Sequence, residues 1–89
     1  MATERPAFAD ERKPGEKFFE KNITFQIVEV IPLKDFMGRQ MVQIAYRIID
    51  GDYTSPVAHL FLYADEDVKF WVRQVVNNYL SAKESILRR

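Results

Sequence analysis

The sequence of 89 residues contains no cysteine and is nearly as poor in histidine and glycine, with one and three residues of these types. Without cysteine, disulfide bonds and thiolate metal sites are excluded. A single histidine also excludes a transition-metal site built from several imidazoles. The glycines are scattered at positions 15, 38 and 51, so they do not form a phosphate-binding loop.

Net charge and long apolar runs are also missing. Lysine and arginine together number 13, and aspartate and glutamate number 13, so the formal net charge is zero. Bulk electrostatics therefore does not favour nucleic acid, although a local basic patch stays open. No apolar run approaches the roughly 18 residues of a membrane span. Residues 1–17 lack a hydrophobic stretch and so do not resemble a secretory signal, and we expect a cytoplasmic protein that does not enter a membrane.

The length and composition favour one small domain. About half of the residues, 47%, are hydrophobic, which is enough for a compact core. A chain this short buries a modest fraction of its surface and gains stability by pairing with a second copy. Residues 1–17 carry two prolines and many charges and are predicted to be a flexible tail, either disordered or loosely docked on the domain. Residues 18–89 are predicted to form the domain, with Phe18 and Phe19 anchoring its start.

The first clear strand signal is residues 22–32, NITFQIVEVIP, which is rich in β-branched and aromatic residues and ends at a proline. Ile23, Phe25 and Ile27 fall on one face of such a strand. Glu29 would fall on the same apolar face. We therefore expect a β-bulge near Glu29, which restores the alternation.

Two more strands are predicted on either side of the Asp50-Gly51 pair. This dipeptide is a strong hairpin signal because the turn requires positive φ. Residues 39–49 alternate between apolar and polar side chains, and residues 56–63 are the expected returning strand. The alternation predicts one apolar face made of Val42, Ile44, Tyr46, Ile48, Ala58, Leu60 and Leu62.

Residues 64–89 are predicted to form one long amphipathic helix, with Asp65 as its N-cap. The apolar stripe at three- and four-residue spacing consists of Val68, Trp71, Val72, Val75 and Tyr79. The expected fold is therefore α+β, an antiparallel sheet of three or four strands packed on one long C-terminal helix, in a homodimer. A single helix covers only one face of such a sheet.

The uncovered face has an unusual composition for a water-facing sheet. Its predicted side chains are Arg39, Met41, Gln43, Arg47, His59, Phe61 and Tyr63. Arginine and aromatic residues together suit single-stranded nucleic acid, because bases stack on rings while guanidinium groups contact phosphates. The same face suits an interface with a second subunit or with the N-terminal tail, since aromatic residues are also enriched at protein interfaces.

The order of elements resembles the transcriptional coactivator (positive cofactor four) family, whose outline the whirly and Pur-repeat single-stranded-DNA-binding domains share. The resemblance covers residues 22 to about 80 and is carried by KDFMGRQMVQIAYRIIDGD followed by VAHLFLYADEDVKFWVRQVV. A charged-aromatic-x-glycine-basic turn opens the second strand in those families and matches residues 34–39 here. The resemblance implies paired copies and a curved sheet that holds single strands, with Phe36, Arg39, Gln43, Arg47, His59 and Phe61 near the nucleic acid.

We accordingly predict a protein without catalytic residues, cofactor or metal that binds single-stranded DNA, or alternatively RNA. The binding residues would be Phe36, Arg39, Gln43, Arg47, His59, Phe61 and Tyr63. The carboxylates at positions 65–67 are explained as helix-start residues, so few candidate residues for acid–base catalysis are left. The alternative is a protein-interaction or assembly module that uses the same sheet face or the surface around Phe70.

Overall fold

The computed structural model describes residues 6–87 and shows one antiparallel sheet with one helix at the C-terminal end, which confirms the predicted α+β fold. A 3-10 turn, Ala9–Glu11, precedes the sheet. The fourth strand expected near Phe18 is present, and a two-residue strand brings the number to five. The elements are β1 (Lys17–Glu20), β2 (Ile23–Lys34), β3 (Gln40–Asp50), β4 (Tyr53–Thr54), β5 (Ala58–Tyr63) and α1 (Val68–Leu87).

The sheet is a set of antiparallel pairs in the order β1-β2-β3, with β4 and β5 both pairing along the other side of β3. The register between β2 and β3 shifts between Ile27 and Glu29, which confirms the predicted bulge. The Asp50-Gly51 turn joins β3 to β4, with Gly51 at φ +61° as such a turn requires. Two further residues with positive φ, Lys21 and Asn22, make the tight connection from β1 to β2.

The core lies between the sheet and α1. Phe25 of β2 is fully buried, and its ring stacks on Tyr46 of β3 at 4.6 Å and meets Phe18 of β1 edge-on at 6.3 Å. Of the apolar face predicted for β3 and β5, all members but one lie in the core or pack against it, whereas Ala58 is exposed. The most buried helix residues are Val68, Val72 and Val76, while the other predicted stripe residues pack at their flanks. The core set is Ala7, Ala9, Ile23, Phe25, Ile27, Val42, Ile44, Ile48, Leu62, Val68, Val72 and Val76.

The predicted N-terminal tail is docked against the domain around Ala7 and Ala9. Ala9 is completely buried, and its backbone N–H donates to the carbonyl of Glu66. The backbone N–H of Val68 donates to the carbonyl of Ala7, so the tail segment runs beside the start of α1. Residues 1–5 of the tail lie outside the described residues. Alanines in a charged segment give no periodic signal, yet their small side chains fit a closely packed space.

Asp67, two residues later than predicted, caps the helix. Its Oδ1 accepts the backbone N–H of Lys69 at 2.9 Å and that of Ala7 at 3.2 Å. Asp65 is exposed, whereas Glu66 accepts a hydrogen bond from the indole of Trp71. One carboxylate thus joins the first turn of α1 to the N-terminal segment.

We expect Asp67→Ala to lower the free energy of unfolding by about 1–2 kcal/mol, because it removes a helix cap together with the tail contact. Urea denaturation followed by circular dichroism measures the change. Asp65→Ala is the matched control and should stay within about 0.5 kcal/mol of the wild type, since its side chain is exposed. Equal losses in the two variants would contradict the assignment of the cap.

A polar cluster fastens the second half of α1 to the β3–β4 turn. The hydroxyl of Tyr79 donates to Asp50 Oδ2 at 2.8 Å, and Lys83 Nζ donates to the same oxygen at 2.7 Å. The hydrogen bonds from Lys83 and then Tyr79 hold the pKa of Asp50 below its usual value. Burial, followed by the bond to Asp50, raises the pKa of Tyr79 to about 12.

This cluster predicts a loss of stability at alkaline pH. The folded pKa of Tyr79 lies above the unfolded value of about 10, so its contribution is complete below pH 10 and is lost as the pH rises towards 12. The free energy of unfolding of the wild type should therefore fall more steeply over this range than that of Tyr79→Phe, which has no proton to lose. Urea titrations at stepped pH compare the two. Parallel curves would contradict the prediction.

Candidate nucleic-acid interface

The sheet face that points away from α1 carries the predicted site. Strand alternation and register place Gln43 and Arg47 of β3 on this side, since their neighbours Val42, Ile44 and Ile48 are in the core. Phe61 lies on the same side and is 59% exposed. The open face, as we call it, consists of Phe19, Gln26, Glu29, Ile31, Arg39, Met41, Gln43, Ala45, Arg47, His59, Phe61 and Tyr63.

The middle of the open face is a row across three strands. Gln43 of β3 lies between Ile31 of β2 and Phe61 of β5, which are its direct partners in the two ladders. The amide is thus flanked by an aliphatic and an aromatic side chain that both reach solvent. Such a row offers a stacking surface beside a hydrogen-bonding group, which is the combination that unpaired bases use.

One end of the open face is an ordered cation–aromatic corner. The guanidinium carbon of Arg39 lies 3.9 Å from the centroid of the Tyr63 ring, and the Tyr63 hydroxyl donates to Asp35 Oδ2 at 3.3 Å. Asp35 Oδ1 accepts the backbone N–H groups of Met37 and Arg39, each at 2.9 Å. The hydrogen bond from the Arg39 backbone, with those from Met37 and Tyr63, holds the pKa of Asp35 below its usual value. Asp35 therefore stays charged at neutral pH and holds the β2–β3 turn around Arg39.

The tip of this turn presents Phe36. Its side chain is 98% exposed, and no aromatic neighbour contacts its ring among the described residues. Gly38 has φ +84°, a conformation that lets the chain turn back into β3. Phe36 therefore projects at the end of the open face rather than lying within it.

Arg47 lies towards the other end of β3. Its Nε donates to Gln26 Oε1 at 2.8 Å across the β2–β3 ladder. Arg39 and Arg47 are eight positions apart in sequence, which is about 27 Å along a strand. No carboxylate within residues 6–87 forms an ion pair with either guanidinium group. An external anion would therefore not have to break an ion pair, although the Asp35 carboxylate lies close enough to Arg39 for their attraction to contribute to its lowered pKa.

The centre of the open face also carries one acid. Glu29 stands opposite Ala45, and His59 stands opposite the other side of Ala45. The bulge that restores the apolar face of β2 is the reason why Glu29 points this way. The positive charges of the face therefore lie towards its two ends, with a carboxylate between them.

The sequence analysis did not assign the residues that β1 and β2 contribute to the binding site on the open face. Phe19 was expected to anchor the fold beside Phe18, but its pairing with Thr24 places it on the open side, where it is 75% exposed. Gln26 and Ile31 were likewise not among the predicted site residues. Each occupies an open-side position of β2, and a register anchored on buried Phe25 and on the bulge would have found them.

Other features of the described residues lie away from the open face. No group of three or more histidine, aspartate or glutamate residues among them could hold a metal ion. No helix in the part of the chain that the structure describes is both long and apolar enough to cross a membrane. A shallow groove of about 500 Å³ lies beside the Asp50–Tyr79–Lys83 cluster, lined also by Tyr53, Ala82 and Ile86. Its aromatic wall is the stacked pair of Tyr53 and Tyr79.

Known proteins add no identification. The chain matches no protein-family model, no curated protein and no solved structure. The resemblance to the transcriptional coactivator family and its relatives therefore stays a prediction, and the function has to be argued from the open face itself.

Proposed function

We propose that this protein binds single-stranded nucleic acid, DNA in the first instance, on the open face of its sheet. The observation that carries the proposal is the exposed ring of Phe61 beside Gln43, on the side of the sheet that α1 leaves uncovered. Aromatic side chains that reach solvent from a sheet are suitable platforms for bases, and each stacked base contributes about 1–3 kcal/mol.

The two ends of the open face would hold the phosphate backbone. Arg39 is positioned by its contact with the ring of Tyr63, and Arg47 by its hydrogen bond to Gln26. Because both guanidinium groups lack a carboxylate partner among the described residues, phosphate does not have to displace one. Phe36 at the turn tip would contact the strand at one end of the face, and His59 on β5 would contact it near the centre.

The arrangement of charge restricts how a single strand can lie across the open face. Glu29 repels phosphate at the centre of the face, so the backbone should approach the ends while bases cover the middle. At the roughly 3.4 Å rise of a stacked strand, the distance between the two arginines corresponds to about eight nucleotides, or fewer if the strand is stretched. The neutral net charge predicts weak non-specific attraction, so binding should depend on these local contacts.

Fluorescence anisotropy with a labelled oligonucleotide of about 20 nucleotides tests the proposal. We expect saturable binding at low salt, weaker binding to the matching duplex, and an affinity that falls linearly with the logarithm of salt concentration. A DNA and an RNA probe of the same sequence separate the two polymers. If the anisotropy of none of the probes saturates at tens of micromolar protein, the proposal is contradicted.

A second candidate function is docking of a protein partner on the same open face. The observation that favours it is the exposure of Phe19, Ile31 and Phe61 on one face, together with the acid Glu29, which suits a peptide better than a phosphate chain. The surface around Phe70, whose ring is half-exposed against Trp71, is a smaller alternative. A partner recovered in a pull-down and lost in Phe61→Ala, with no oligonucleotide binding, would favour this function.

A further inference from the structure

The outer side of β5 is an edge without a strand partner. β5 pairs only with β3, and no other strand of the described chain lies beside it. Three of its six residues, Ala58, His59 and Phe61, are exposed. An edge strand leaves its outward N–H and C=O groups free, and these groups pair readily with another strand.

The hydrogen-bond pattern between β3 and β5 identifies which backbone groups of β5 point away from β3. The backbone N–H of Ala64 donates to Gln40, so residues of the same parity face β3, whereas His59, Phe61 and Tyr63 face outward. The outward N–H of Tyr63 is already bound by Glu66 Oε2 at 2.7 Å. The free donors are therefore confined to His59 and Phe61, two residues apart.

The opposite edge of the sheet does not have this character. It consists of β1 and, beyond the end of β1, of residues 29–34 of β2. β1 is four residues long and includes Lys17 and Glu20, and Glu20 faces Arg73 of α1 at 3.9 Å. The unpaired half of β2 includes Glu29, Lys34 and Pro32, and proline has no backbone N–H to offer a new strand. Charged side chains on short edge strands discourage pairing with another chain. β5 has no lysine, arginine or acidic residue, no proline and no bulge within its six residues. Of the two edges, β5 is the one open to strand addition.

We propose that β5 pairs with β5 of a second copy of this chain, antiparallel about a two-fold axis through Leu60. This register places His59 of one copy opposite Phe61 of the other, twice, so both free donors and both free acceptors of each chain are used. Four backbone hydrogen bonds result. Leu60 then forms the central pair without hydrogen bonds, where the Cα atoms of two facing residues are about 4.5 Å apart.

A second copy is favoured as the occupant because the pairing is self-complementary. A two-fold axis needs the same surface on both partners, and the short segment from His59 to Phe61 supplies equal numbers of donors and acceptors on each side of Leu60. Pairing at this edge also joins the two open faces into one, with the Phe61 rings near its centre. A role of this joined face in binding rests on the proposed function, whereas the dimer itself does not.

Because the sequence contains no cysteine, one introduced thiol can test the proposed dimer interface directly. Leu60→Cys introduces a single thiol at the proposed axis, where the expected Cα distance suits a disulfide. Mild oxidation of the full chain should convert most of this variant to a covalent dimer on non-reducing gels. Ser81→Cys, on the exposed side of α1, is the matched control and should stay largely monomeric on the gel. Equal cross-linking of the two variants would overturn the interface.

Proline substitution tests the hydrogen bonds without relying on the thiol. His59→Pro removes an outward N–H that β3 does not use, so circular dichroism should be unchanged. Its dimer dissociation constant, from sedimentation equilibrium, should rise by roughly tenfold or more because two of the four bonds are lost. His59→Ala keeps the backbone donor and should dimerise like the wild type, as should Phe70→Glu. A wild type that is monomeric at hundreds of micromolar would overturn the proposal.

The two proposals fail separately. Dimerisation is measured on the free protein, and oligonucleotide binding is measured on the wild type. If the protein is monomeric but binds single strands, the β5 interface is contradicted and the proposed function is supported. If the protein dimerises through β5 but binds no oligonucleotide, the proposed function is contradicted and the β5 interface is supported.

Discussion

The double variant Arg39→Ala/Arg47→Ala should lose most of the affinity of the wild type for single-stranded DNA. Each arginine is expected to contact a phosphate from one end of the open face, and neither has a carboxylate partner among residues 6–87 that could take over its role. Hydrogen bonds to charged groups contribute about 1.5–3 kcal/mol each. Loss of two such contacts should weaken binding by about a hundredfold or more.

The salt dependence should change with the affinity. For single strands, the slope of log affinity against log salt is about −0.7 for each neutralised phosphate. Removing two contacts should therefore make the slope shallower by about 1.4 units. A variant that binds more weakly with an unchanged slope would have lost something other than phosphate contacts. Anisotropy titrations at four or five salt concentrations provide both quantities.

A charge-matched control separates local contacts from net charge. Lys21→Ala/Arg73→Ala removes two cations on the helix side of the molecule, where Lys21 Nζ donates to Asn77 and Arg73 faces Glu20. If binding occurs on the open face, this variant should stay within about threefold of the wild type, because exposed charges beyond a Debye length act weakly. Equal losses in both double variants would contradict the assignment of the face.

The strand pattern in the sequence was sufficient to predict the fold and the orientation of its faces. The apolar run around Phe25, the Asp50-Gly51 turn and the misplaced Glu29 together fixed the register of β2 with β3, because a one-residue slip would move the whole apolar set to solvent. The site residues on β3 and β5 consequently lie on the side that was expected. Whether they bind nucleic acid stays a prediction.

The remaining differences have local causes. Two aspartates, Asp65 and Asp67, precede α1, and both satisfy the preference for an N-cap, so composition could not select Asp67 over Asp65. Docking of Ala7 and Ala9 depends on a gap of the right size beside the helix start, which only the assembled fold creates. Phe19 belongs to a four-residue strand, too short for alternation to show which of two adjacent aromatic residues faces the core.

Phe25→Ala should have the largest effect on stability. The ring is fully buried, stacks on Tyr46 and meets Phe18 edge-on, so its removal leaves a cavity in the centre of the core. Truncating a buried phenylalanine costs about 3–5 kcal/mol, which is a large part of the roughly 5–15 kcal/mol that stabilises a typical domain. Thermal unfolding should accordingly shift down by about 15 °C or more, since each kcal/mol is about 4–8 °C at this size.

Phe36→Ala is the matched control for the same chemical change. Its side chain is almost entirely in solvent at the tip of the β2–β3 turn, so its free energy of unfolding should stay within about 0.5 kcal/mol of the wild type. The pair also separates stability from binding. Phe36→Ala should weaken oligonucleotide binding in a fully folded protein, because only its base-stacking surface is removed. Similar melting temperatures for Phe25→Ala and Phe36→Ala would mean that Phe25 is not at the centre of the core, and the assignment of the two sheet faces would be lost with it.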